Sequence, residues 1–131
     1  MKAILRERGR LFSFYTLDQG PPKGDLSWDF LSAKGTEGYA KGFLALFQHI
    51  AAEGFEGIAS DLSKCWEVDG IEFCEFRRPP WRLSYFVLHK RRILLTHPFR
   101  KKGDRQRKEY RKAVRLLRKF QEHEEWKDEG E

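Results

Sequence analysis

Three consecutive runs of strand composition, KCWEVDGIEFCEFR, WRLSYFVLHK and RRILLTHPF, fill residues 64–99 and constrain this chain more than any other feature. Branched and aromatic residues dominate each run. Only RPP and the short HKRR segment separate them. Connections this short read as turns between neighbours, so the runs are expected to be three consecutive antiparallel strands.

Helical patterns flank this block. MKAILRERGRLFSFYTLD reads as extended, with near alternation over residues 11–17 and Arg8-Gly9 as a hairpin turn or a bulge. QGPPKGD breaks the chain. Asp25 is placed to cap a short helix, LSWDFLSAK, that ends at Gly35. A second helix is expected from Glu37 to Glu53, where Tyr39, Phe43, Phe47 and Ile50 recur at helical spacing opposite Lys41, Gln48 and Glu53; Gly54 stops it. After Lys102-Gly103, Asp104 is placed to cap a last helix with the stripe Tyr110, Ala113, Val114, Leu117 and Phe120. The order strand, helix, helix, three strands, helix predicts an α+β domain with helices packed on a small curved antiparallel sheet. At 131 residues and 40% apolar composition the chain supplies one core, hence one domain over residues 1–131.

No early stretch resembles a signal peptide and no run approaches bilayer-spanning length, so a cytoplasmic protein without a membrane partner is expected. For such a chain Cys65 and Cys74 are expected to be reduced, structural thiols.

The charge is unevenly divided. Residues 1–76 carry 8 basic and 12 acidic side chains, residues 77–121 carry 17 and 2, and residues 122–131 carry 1 and 6. A solvated face usually mixes its signs; fifteen uncompensated positive charges call for a polyanion, and nucleic acid is the commonest. The acidic tail, residues 122–131, reads either as a solubilising end or as a mimic that covers the basic surface.

Glycine-rich phosphate loops, HExxH and paired-acid metal motifs are missing from the sequence. The four histidines, His49, His89, His97 and His123, are scattered and read as surface or packing residues. Strand periodicity points Glu75 and Arg77 to one face and Cys74 and Phe76 to the other. Arg82 lies among Trp81, Leu83 and Tyr85, where a charge is expensive unless it lines a cleft or meets a carboxylate. Two readings are compatible: a cross-strand Arg82–Glu75 salt bridge, and a cationic floor of Glu75, Arg77 and Arg82 approached by Lys101, Lys102 and Arg105.

The succession EFR, WRLSYFV, a strand ending HPFRKK and a basic helix EYRKAVRLL resembles the RelE/HigB superfamily of toxin-antitoxin ribonucleases, in particular its phage-derived HigB-like branch. The resemblance spans residues 66–120. It implies a RelE-like fold, cleavage of mRNA, commonly on the ribosome, without a metal or other cofactor, and restraint by a cognate antitoxin protein. By the same resemblance the phosphate-contacting arginine falls on Arg82, the basic residue before the last helix on Lys102, and the tyrosine of that helix on Tyr110. The loop before the helix is longer than in RelE itself, which leaves Lys101 and Arg105 as alternatives to Lys102. Where some members carry lysines before Arg77, this chain has Phe73 and Glu75.

Attack of a ribose 2′-OH on its neighbouring phosphate needs a base, an acid and positive charge for the transition state. Arginine stays protonated, so Arg82 and Arg77 clamp and stabilise. The base is left open between Lys102 or Lys101, crowded by other cations, and Glu75. Tyr110 offers a ring or a proton, or is simply the start of the apolar stripe. Arg100, Arg105, Arg107, Lys108 and Arg111 are expected to contact RNA, or else to be solvated cations. Beside the enzyme stands a second expectation: a non-catalytic nucleic-acid-binding protein of phage or mobile-element origin that keeps the fold.

Overall fold

The computed structural model describes residues 1–101 and 106–128. In chain order the elements are β1 (Lys2–Arg8), β2 (Ser13–Asp18), α1 (Leu26–Ser32), α2 (Glu37–Glu53), β3 (Ser63–Val68), β4 (Ile71–Arg78), β5 (Trp81–Leu88), β6 (Arg92–Arg100), α3 (Gln106–Glu122) and β7 (Trp126–Lys127). The strands form one sheet in the order β3-β4-β5-β6-β2-β1-β7. The fold is α+β, with α1 and α2 on one face of the sheet and α3 on the other.

Residue alternation sorts the core between the faces. Phe14, Phe76, Leu83, Tyr85, Ile93 and Leu95 pack with Phe30, Phe43, Phe47 and Ile50 of α1 and α2. Tyr15, Leu17, Phe73, Phe86, Leu94 and Phe99 pack with Ala113, Val114, Leu117 and Phe120 of α3. A strand covered on both faces reads as a continuous apolar run rather than an alternating one, which is the origin of RRILLTHPF. Asp25 caps α1 by accepting from Trp28 N at 2.9 Å, and Gly54, at φ 83°, ends α2. Phe43, Phe47 and Ile50 are buried as their spacing predicts and are joined by Ala40, Leu46 and Ala51, whereas Tyr39 is 39% exposed. Asp104 lies outside the described residues.

The structure differs from the sequence expectation in four ways. First, KCWEVDGIEFCEFR is two strands. Asp69 and Gly70 have φ of 51° and 79° and join Val68 to its partner Ile71, as a two-residue hairpin turn with both central residues left-handed requires. Second, that register sets Cys65 directly opposite Cys74, with Cα atoms 4.1 Å apart, and the two form a disulfide rather than remaining reduced. The nine-residue separation follows from the turn: four strand positions on each side of Asp69-Gly70 bring the two sulfurs to one face.

Third, the sheet is mixed. β3 to β6 are antiparallel as expected, and the N-terminal extended stretch is a β1–β2 hairpin that turns after Arg8, one of the two readings of Arg8-Gly9, but β2 pairs parallel with β6. Gly9 lets this hairpin lie against the end of α2, where Leu11 N and Phe12 N donate to Ala51 O at 2.8 and 3.1 Å; a Cβ at Gly9 would overlap Ala51. Fourth, the acidic tail is structured over its described residues, 122–128, where Asp128 lies 3.8 Å from Arg92 of the basic stretch. Its described part returns to the sheet as β7, parallel to β1. Trp126 packs edge-on against Phe120 and Tyr15, Arg92 lies 4.4 Å over its ring, and Asp128 accepts from the Tyr15 hydroxyl at 2.6 Å. No described helix is long and apolar enough to cross a membrane.

Candidate functional site

The α3 face of β4 and β5 carries a buried ionic cluster. Glu75 has no exposed surface, and its Oε2 accepts from Arg82 Nη1 at 2.8 Å and from Arg77 Nε at 3.0 Å. Arg77 and Arg82 are direct partners across β4 and β5. Two like charges placed opposite repel, so the shared carboxylate is what allows them to coexist. The other Glu75 oxygen, Oε1, is buried with no hydrogen-bond partner among the described residues. The side chain of Arg77 is 23% exposed against 10% for Arg82, so Arg77 is the side of the cluster nearer to solvent.

Tyr110, on the first turns of α3, stands over this cluster. Its ring centroid lies 4.5 Å from Phe73 and 5.0 Å from Trp66. Burial raises its phenol above the ordinary value and the Glu75 carboxylate adds to this, while Arg82 and Arg77 pull the other way. The hydroxyl is therefore a neutral hydrogen-bond donor at physiological pH, held in the field of all three charged groups. Tyr110 is half-buried, so the core and surface readings both describe part of one side chain.

A second polar cluster adjoins the first. β6 carries one extra residue against β5, so that Thr96 and His97 both oppose Ser84, the partner of Glu75 on the other side. Ser84 Oγ lies 3.0 Å from His97 Nδ1 and bonds Thr96 Oγ1, and His97 Nε2 lies 2.7 Å from Glu109 of α3. Burial depresses His97 to about 4, with Lys112 and Arg115 pushing the same way and the Glu109 hydrogen bond resisting. A neutral imidazole that donates from Nε2 to Glu109 and accepts at Nδ1 from Ser84 satisfies every partner. The chain thus ties α3 to the sheet one residue from Tyr110.

This pair dictates a pH dependence. A histidine depressed on folding contributes nothing to pH dependence above its unfolded value, near 6.5, and weakens the fold as pH falls from there toward the folded value. Unfolding free energy, measured by denaturant titration, is expected to drop by on the order of 3 kcal/mol between pH 7 and pH 4 on account of His97. His97→Gln, which keeps a donor and an acceptor but cannot charge, should flatten that slope; an identical slope in both proteins would contradict the assignment.

The remaining expected residues divide by face and by position. Arg107, Lys108 and Arg111 are exposed on α3, the same side as the cluster. Lys101 is exposed at the end of β6, its backbone N–H on Pro80 O at 3.3 Å. Arg100 falls on the opposite face, 5.5 Å over the ring of Trp81, which packs with α1. Lys102 and Arg105 lie outside the described residues. Sequence reasoning missed Ser84, Thr96, His97 and Glu109; two adjacent polar residues, Thr96-His97, inside an otherwise buried strand were the signal. Among the described residues one group has the spacing of metal ligands, Cys65, Glu72 and Cys74, and its two sulfurs are joined in the disulfide. No family model matches the chain, and no curated protein matches it.

Proposed function

We propose that this chain is an endoribonuclease of the RelE/HigB toxin type, which cuts mRNA, on the ribosome, by attack of a 2′-OH on the adjacent phosphate, and which a cognate antitoxin protein restrains in the cytoplasm. The observation that carries the reading is the convergence of Arg77, Arg82, Glu75 and Tyr110 on one sheet face, under a helix that adds Arg107, Lys108 and Arg111. The arginines hold the phosphate and balance the charge that builds on it in the transition state. Glu75, wholly enclosed beneath them, aligns the two guanidinium groups. The Tyr110 hydroxyl donates to a phosphate or ribose oxygen without giving up its proton, since its phenol is raised. Proton exchange then falls to Lys101, exposed at the end of β6, or to Lys102.

A second reading is favoured by the burial of the ion pairs themselves. Arg82 is 8% exposed, and a closed arginine-glutamate network also occurs as a purely structural device. On that reading the protein binds nucleic acid through α3 and does not cut it.

Induced expression in a bacterium separates the two. The enzyme arrests translation within minutes and leaves new 5′ ends inside messages, whereas the binding protein leaves messages intact. Full-length messages at normal abundance in cells that make the soluble protein would overturn the enzyme.

A further inference from the structure

Beyond the phosphate cluster, β3 and α3 enclose a cleft of about 380 Å³ lined by Trp66, Val68, Asp69, Arg107, Tyr110 and Arg111. We propose that this cleft is a nucleobase-reading pocket, which takes a guanine of single-stranded RNA; the proposal rests on the RNA-cleaving reading and assigns the specificity of that same site.

Three features point to a base and to its identity. The wall is aromatic: Trp66 and Tyr110 meet at 68° with centroids 5.0 Å apart, and both are half-buried, a surface suited to a flat heterocycle. The cleft continues along α3 into a second one of about 490 Å³ that shares Asp69 and Arg111 and adds Arg115, Arg118 and Lys119 beside Val114 and Glu122, a trough in which cations outnumber carboxylates four to two and which a phosphodiester chain can follow. Between the two stands Asp69. The hairpin turn holds it at φ 51°, and it makes no ion pair among the described residues with the arginines that share its clefts.

A carboxylate presents two acceptors side by side. The Watson–Crick edge of guanine presents two adjacent donors, the ring N1–H and the exocyclic 2-amino group, whereas adenine and uracil pair a donor with an acceptor there. Glu67 is the other acidic residue at the cleft, but strand alternation turns its side chain to the opposite face, between Trp66 and Val68, both of which pack toward α3. Tyr110 joins the pocket to the cluster: its ring lines the cleft and its hydroxyl feels Glu75, Arg82 and Arg77.

The test uses fluorescein-labelled 2′-O-methyl pentanucleotides, which resist 2′-OH attack, with guanine, inosine or adenine at the centre of a uridine run, read by anisotropy against the full chain. Guanine should bind at least about tenfold more tightly than adenine, with inosine, which lacks the 2-amino group, between them. Asp69→Asn, a residue that tolerates the left-handed backbone, should erase the guanine preference, and Trp66→Leu should weaken all three alike. Cleavage of the matching all-ribose oligonucleotides is scored in parallel. A guanine preference lost in Asp69→Asn supports the pocket whether or not the free oligonucleotides are cut; the endoribonuclease reading falls only where RNA on translating ribosomes also stays intact. Equal affinity for the three bases in wild type, or a preference that survives Asp69→Asn, overturns the pocket even where cleavage is intact.

Discussion

Arg82→Ala is expected to slow RNA cleavage by about 10²–10³-fold, the usual loss when one preorganised donor to a developing negative charge is removed. Its guanidinium is fixed by Glu75 at 2.8 Å and by burial, so on the proposed mechanism it would meet the transition state without reorganising. Glu75 keeps Arg77 at 3.0 Å in the variant, so the carboxylate is not stranded and the protein stays folded. Arg82→Lys is the companion variant: it restores charge but not the planar fork, and should recover only a small part of the rate. Rates for both variants within a fewfold of wild type, at matched folded concentration by circular dichroism, would contradict the role given to Arg82.

Glu75→Ala should have the largest effect on stability, about 3–5 kcal/mol, because it leaves two guanidinium groups opposite each other across β4 and β5 with no counter-charge. For a domain of this size that corresponds to a fall in Tm of roughly 10–20 °C. The triple replacement Glu75→Leu, Arg77→Met, Arg82→Leu removes all three charges together and should regain most of the loss, since a buried ionic network exchanged for apolar groups of similar volume is often neutral. The triple variant should nevertheless be inactive. Stability recovered without activity assigns the cluster to chemistry; activity recovered along with stability would assign it to folding alone.

What the sequence revealed depended on how local the cause was. Helix α2 was legible to its ends because its stripe, its length and Gly54 all lie within one stretch. The cap at Asp25 was legible for the same reason. The facing of Glu75 and Arg77, and the Arg82–Glu75 contact, followed from strand period and from the cost of an unpaired charge. The Asp69-Gly70 turn was local too, but it was hidden inside a run of uniform strand composition; once it is recognised, the Cys65–Cys74 pairing follows by counting. The parallel β2–β6 pairing was beyond reach, since it joins Ser13 to Arg92 and no short-range pattern encodes that. The docking of β7 was hidden in a similar way: six acidic residues in residues 122–131 obscured Trp126, which packs the tail against Phe120 and Tyr15. His97 was passed over because its partners come from β5 and α3, which the sequence alone does not bring together.

The chemistry of the cut end tests the central claim most directly. Purified protein is incubated in EDTA with an RNA oligonucleotide and, separately, with translating ribosomes, and the products are identified by mass spectrometry. The account predicts a 5′-hydroxyl on one fragment and a 2′,3′-cyclic phosphate or its 3′-phosphate on the other, with no cut where the nucleotide 5′ to the scissile phosphate is 2′-deoxy. A 5′-phosphate with a 3′-hydroxyl, cleavage of the 2′-deoxy substrate, or intact RNA in both formats would contradict it.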